Sequence, residues 1–108
     1  MLEGRNWEPK TSQQYSGVTY RVVIFGKVQG VSFRVTLKEK AVRHHVRGWV
    51  RNREDGSVEA LMHGREDRIR EILRWAESGP PGAIVKRVTS EKIKEKHHIP
   101  NIGFEIVY

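Results

Sequence analysis

The sequence predicts an α+β fold, with a β-α-β-β-α-β order that lays two helices on one face of an antiparallel sheet. Three observations carry that prediction. Runs rich in β-branched and aromatic residues recur along the chain, two intervening segments have helical apolar spacing, and Asp55-Gly56 stands between two strand-like runs as a hairpin signal. A chain of 108 residues removes about two-thirds of its unfolded surface from water on folding, enough for one core and not two. One domain is expected, over residues 18–108, behind a polar tail of residues 1–17 that shows no periodicity and carries a lone Trp7.

The elements follow in order. Tyr20 to Phe25, YRVVIF, is β-branched and aromatic and stops at Gly26, as a mostly buried strand does. A loop over Lys27 to Val31 leads to Ser32, a residue type that caps helices. Phe33, Leu37 and Ala41 then share one narrow arc of a helix running to about His44. Val46 to Arg53 and Ser57 to Gly64 form the predicted hairpin. Ile69, Ile72, Leu73 and Ala76 recur at helical spacing behind Glu66 and Asp67, acids that suit a helix N-terminus. Gly79-Pro80-Pro81-Gly82 ends this second helix. Ala83 to about Lys92 reads as a strand of poor alternation. After a polar stretch from Glu95 to Asn101, Phe104, Ile106 and Tyr108 alternate as a short last strand. This order is that of a ferredoxin-like sandwich, a fold that hosts many functions, so function has to be read from a site.

Composition narrows the chemistry. The chain has no cysteine, which excludes disulfides, thiol catalysis and zinc-thiolate sites. No apolar run approaches the roughly 20 residues needed to cross a bilayer. The polar N-terminus does not read as a secretory signal, so a cytoplasmic location is expected. Lysine and arginine exceed aspartate and glutamate by 20 to 13, a formal charge of +7. That balance suits an anionic partner but does not give its size.

The informative stretch is Ile24-Phe25-Gly26-Lys27-Val28-Gln29-Gly30-Val31-Ser32-Phe33-Arg34, a strand, a loop with two glycines and a helix start. Backbone N–H groups of such a loop can converge with those of the helix first turn on an anion, and Arg34 adds a planar cationic fork matching two phosphate oxygens. An ordinary turn with a solvated arginine is the plainer reading of this stretch alone, because neither GxGxxG nor GxxxxGK is present. The second stretch is Gly48-Trp49-Val50-Arg51-Asn52-Arg53-Glu54-Asp55-Gly56-Ser57-Val58. Asn52 can both donate and accept, and so can hold a water molecule against a bound phosphate; alone, it reads equally as a turn-favouring asparagine.

Taken together, GKVQGVSFR at 26–34 and GWVRNREDGSV at 48–58, followed by Gly64, closely resemble the two signature motifs of the acylphosphatase family. The resemblance extends over about residues 19–108, including Gly79-Pro80-Pro81 and the closing FEIVY. It implies the ferredoxin-like fold and hydrolysis of a small-molecule acyl phosphate without metal, cofactor or covalent enzyme intermediate. By the same resemblance, the phosphate-binding arginine falls on Arg34, the water-positioning asparagine on Asn52, and the phosphate cradle on backbone N–H groups of Gln29, Gly30, Val31, Ser32 and Phe33. A monomer with no nucleic-acid or membrane partner is expected.

Two departures stand out. Ser32 occupies a position often held by glycine in the family, and His44-His45 stands where an apolar residue followed by glycine is usual. Histidine tolerates a left-handed conformation better than most residues, so a small stability cost and no catalytic role are expected. The pairs His44-His45 and His97-His98 match no familiar metal-site spacing. Arg47-Gly48-Trp49-Val50 resembles the start of an RNA-recognition motif, but Asn52, Arg53 and Glu54 stand where stacking aromatics belong, and Trp49 is expected to pack near the site. The alternative to an enzyme is a non-catalytic binding module of the same fold, for RNA or an acyl-phosphate ligand.

Overall fold

The computed structural model describes residues 17–94, 99, 100 and 102–108. Of the predicted tail only Gly17 is described; Trp7, His97, His98 and most of the 95–101 stretch lie outside the described residues. The elements are β1 (Val18–Lys27), α1 (Phe33–Arg43), β2 (Arg47–Asn52), β3 (Val58–Gly64), α2 (Glu66–Ala76), β4 (Ile84–Ile93) and β5 (Phe104–Val107). They form a five-stranded sheet in the order β4-β1-β3-β2-β5.

The β1–β4, β1–β3 and β2–β3 pairs are antiparallel, but β5 lies parallel to β2, so the sheet is mixed rather than antiparallel throughout. The strand order explains the difference. β4 runs opposite to β1 and therefore opposite to β2; the chain then crosses to the far edge and reverses, which brings β5 in along β2. The poor alternation of β4 has a simple cause too: it is an edge strand, largely exposed along its length.

Alternation sends Tyr20, Val22 and Ile24 of β1, Val50 of β2, Val58, Ala60 and Met62 of β3, and Phe104 of β5 to the helix-covered face. Phe33, Leu37 and Ala41 of α1 and Ile69, Ile72 and Ala76 of α2 meet them there, all buried. Leu73, predicted with the core, is only partly buried and packs at its margin. On the opposite face of the central strand, the buried Glu59 carboxylate accepts from Arg21 Nε at 2.6 Å and Arg51 Nε at 2.8 Å. Beside it, the Thr19 hydroxyl and His63 Nδ1 are hydrogen-bonded at 2.8 Å. Trp49 also lies on this helix-free face, with the Arg51 guanidinium 5.8 Å from its ring. The expectation that it packs near the site is therefore corrected: the two-residue period turns position 49 away from the face that Asn52 shares.

The ends of α1 both depart from common helix chemistry. Ser32 occupies the N-cap position, but its φ of 64° is left-handed and its side chain makes no capping hydrogen bond. Its carbonyl instead accepts from the Thr36 hydroxyl at 2.8 Å. At the other end, Val46 N–H donates to Ala41 O and His45 N–H to Val42 O, the paired bonds that close a helix through a left-handed residue. That residue is His45, at φ 59°.

Candidate active site

The sheet register brings the two motifs together. β1 and β2 run parallel on either side of β3, and Ile24 and Asn52 both face Val58 across their respective ladders. The loop leaving β1 and the end of β2 therefore emerge at one level, at the same end of the sheet. A register shift at Phe25/Gly26 bends β1 as it leaves. Glycine is required there, because φ is 127° and a Cβ would lie 2.2 Å from Ile84 O. Gly30 at φ 78° and Ser32 at φ 64° flank Val31, so the loop curls between two left-handed residues and then enters α1. Alternation of this kind turns successive backbone N–H groups toward one concave side, next to the free N–H groups of a helix first turn.

Phe33 and Arg34, consecutive in that first turn, face different ways. The Phe33 side chain is buried, with its ring centroid 5.1 Å from that of Trp75 on α2. Arg34 is half-buried, with its guanidinium carbon 5.0 Å from the centre of the exposed Tyr108 ring. Tyr108 arrives there because Val107 pairs with Arg51, which brings the next residue level with Asn52.

Val28, Gly30, Ser32, Phe33, Arg34, Val35 and Asn52 line a cleft of about 280 Å³. Of the residues singled out from sequence, Gly30, Ser32, Phe33, Arg34 and Asn52 meet in this cleft. Gln29 and Val31 belong to the same loop but do not line it: the Gln29 side chain reaches to the hairpin, and Val31 packs against the core. Val28, Val35 and Tyr108 were not anticipated. Val28 and Val35 have no polar signature to mark them, and Tyr108 is placed by a strand pairing that local pattern does not specify.

The polar inventory of the cleft is small. Arg34 is its one permanent cation, and no histidine or carboxylate is among the lining residues. Asn52 Oδ1 is buried and has no hydrogen-bond partner. A buried acceptor of this kind costs free energy unless something donates to it, which marks it as a position arranged for a ligand or water. The nearby Asp55 is occupied elsewhere. It accepts from the Ser57 hydroxyl at 2.5 Å and from Ser57 N–H at 3.0 Å, bonds that hold its carboxyl below its ordinary range.

A larger depression of about 400 Å³, between His44 and α2, is lined otherwise by Asp67, Arg68, Arg70, Glu71 and Arg74. Size does not make it the better site. Its acids are paired with arginines, Glu71 with Arg74 at 3.4 Å and Asp67 with Arg65 at 2.9 Å. Among the described residues no group of three or more histidines and carboxylates is arranged to hold a metal ion. No helix there is long and apolar enough to cross a membrane.

Residues 20–106 match the acylphosphatase family model. The chain is 54% identical over 72 residues to an acylphosphatase of Pyrobaculum islandicum, covering 66% of this chain and 76% of that one. It is 49% identical over 87 residues to an acylphosphatase of Thiobacillus denitrificans, covering 81% and 93%. The crystal structure of acylphosphatase from Bacillus subtilis superposes with a TM-score of 0.78 at 32% identity, covering 84% of this chain and 99% of that chain. With both signature stretches converging on one cleft and the family match spanning nearly all of the described fold, the chain belongs to the acylphosphatase family.

Proposed function

We propose that the cleft hydrolyses an acyl phosphate to a carboxylate and inorganic phosphate, with Arg34 and the loop holding the phosphoryl group and Asn52 aiming the water. The observation that carries this division of roles is the buried Asn52 Oδ1 without a partner, in the same cleft as Arg34. Backbone N–H groups of Gln29 to Phe33, together with the Arg34 fork, neutralise the phosphoryl oxygens where charge is carried in the transition state. Asn52 Oδ1 accepts from a water whose oxygen then attacks phosphorus, in line with the bond to the carboxylate. That P–O bond breaks, its electron pair leaves with the carboxylate, and the water's proton passes to a phosphoryl oxygen. A carboxylate leaves readily, so positioning and electrostatic stabilisation suffice without a protein base.

The protein acts on this reading as a cytoplasmic, metal-independent monomer on a small-molecule substrate. The test is hydrolysis of benzoyl phosphate with EDTA present, comparing wild type with Arg34→Ala and Asn52→Ala. Rapid wild-type turnover is expected. Arg34→Ala should lose both turnover and phosphate affinity, whereas Asn52→Ala should lose turnover and keep phosphate affinity. Wild-type kinetics in a folded Arg34→Ala protein would overturn the assignment. A folded wild type that binds phosphate without turnover would be a binding module instead. A rate profile set by a group near pKa 6.5 and abolished by one histidine substitution would show that a base had been overlooked.

A further inference from the structure

The geometry points to the Gln29 side chain as a positioning residue that fixes the phosphate loop relative to Asn52, a role that rests on the assignment of Asn52 above. Gln29 Nε2 donates to Arg53 O at 2.8 Å and to Ser57 O at 2.9 Å. Both amide hydrogens are thus committed to the two carbonyls that flank the hairpin turn. Arg53 follows Asn52 directly, and Ser57 precedes Val58, the residue opposite Asn52 across the ladder. Gln29 thus stands in the loop read above as the phosphate cradle and ties its side chain to the peptide beside the water-positioning carboxamide.

The two carbonyls do not need Gln29 to be satisfied. Arg53 O also accepts from Gly56 N–H at 3.1 Å, and Ser57 O from Arg53 N–H at 2.9 Å. The hairpin turn is closed by its own backbone, with Asp55 bracing Ser57. Removing the Gln29 amide leaves neither carbonyl orphaned, so the fold loses two bonds without leaving a buried polar group unpaired. What is lost is a link between two separate pieces of chain, one carrying the phosphoryl group and the other carrying the water. An in-line attack is sensitive to that spacing: a shift on the order of 1 Å from outside the reacting groups can cost 10²-fold in rate. Phosphate affinity depends on the loop and Arg34 and needs no alignment with Asn52.

The test is benzoyl phosphate kinetics and inhibition by inorganic phosphate on Gln29→Met, which keeps length and volume but has no donor. Gln29→Asn, whose amide is one methylene short, is the second variant, with folding checked by far-UV circular dichroism. In both, kcat should fall roughly 10- to 100-fold, while the phosphate inhibition constant stays within about threefold. In an Asn52→Ala background, Gln29→Met should lower the residual kcat by less than about threefold, because there is no longer an aimed water to misplace. A rise in the phosphate inhibition constant parallel to the loss of kcat would assign the side chain to the loop alone and overturn the proposal. Full additivity with Asn52→Ala, or unchanged kcat in folded Gln29→Met and Gln29→Asn, would overturn it as well. Failure of the underlying reading looks different, because Asn52→Ala would then retain wild-type turnover whatever stands at position 29.

Discussion

The Phe33 ring packs against Trp75 with centroids 5.1 Å apart and planes tilted by 51°. The contact joins the first turn of α1 to the last turn of α2, and it immobilises the residue beside Arg34. A tilted aromatic pair of this kind contributes about 0.5–1.5 kcal/mol beyond the area it buries. A double-mutant cycle of Phe33→Leu and Trp75→Leu in urea denaturation should return a coupling energy in that range. Phosphate affinity should weaken in Phe33→Leu, whose first turn loses its anchor. Purely additive effects would show that the rings share a neighbourhood without a specific interaction.

Asn52 holds a buried acceptor that the protein does not satisfy. Asn52→Ala is expected to reduce kcat on the order of 10²–10³-fold and yet leave stability unchanged or raised by ~1 kcal/mol. Urea denaturation beside steady-state kinetics checks both halves. A marked loss of stability would mean that the carboxamide serves the hairpin, not the cleft.

His45 closes α1 from a left-handed conformation at φ 59°. Glycine there should stabilise the protein by about 1 kcal/mol, since an L side chain pays a steric cost in that region. At this chain length such a gain raises Tm by roughly 4–8 °C. Turnover should not change. An unchanged or lower Tm for His45→Gly would mean that the imidazole makes compensating contacts at the helix end.

Glu59 is buried on the helix-free face. Burial pushes its carboxyl up, but hydrogen bonds from Arg21 and Arg51 outweigh that and hold it below its ordinary value of 4.5. The unfolded chain therefore binds this proton more readily than the folded one. The ion pairs contribute their stability above about pH 4.5, and that contribution fades as pH falls through the lowered folded value. Glu59→Gln should cost about 1–3 kcal/mol at pH 7 and flatten the decline of stability in acid. A variant whose decline parallels that of the wild type would place the acid sensitivity elsewhere, for example at Glu66, which is held low by the Tyr20 hydroxyl.

The sequence carried more of the site than of the sheet's edges. Gly30, Ser32, Phe33, Arg34 and Asn52 could be named because two short stretches at a set separation together resemble the acylphosphatase signature motifs, whereas each stretch alone reads as an ordinary turn. The capping role expected of Ser32 did not hold, because the curl of the loop sets its backbone and a left-handed φ takes the hydroxyl out of capping geometry. The direction of β5 was not legible, since a four-residue alternation specifies a strand but not its partner. Trp49 was placed on the wrong side because its neighbourhood in sequence was read as a neighbourhood in space. The Gln29 contacts were beyond reach for the same reason: they span 24 and 28 residues and end on backbone atoms that carry no residue identity.

Proteins open from their margins inward, and amide hydrogens exchange first where strands have a single neighbour. In the order β4-β1-β3-β2-β5, the outer positions go to β4 and β5, while the strands that launch the loop and end in Asn52 each have a neighbour on both sides. Fraying of β4 or β5 thus spares the ladders through Val58 that align Ile24 with Asn52. The two ladders that align the loop with Asn52 are therefore expected to be among the last in the sheet to exchange their amide hydrogens.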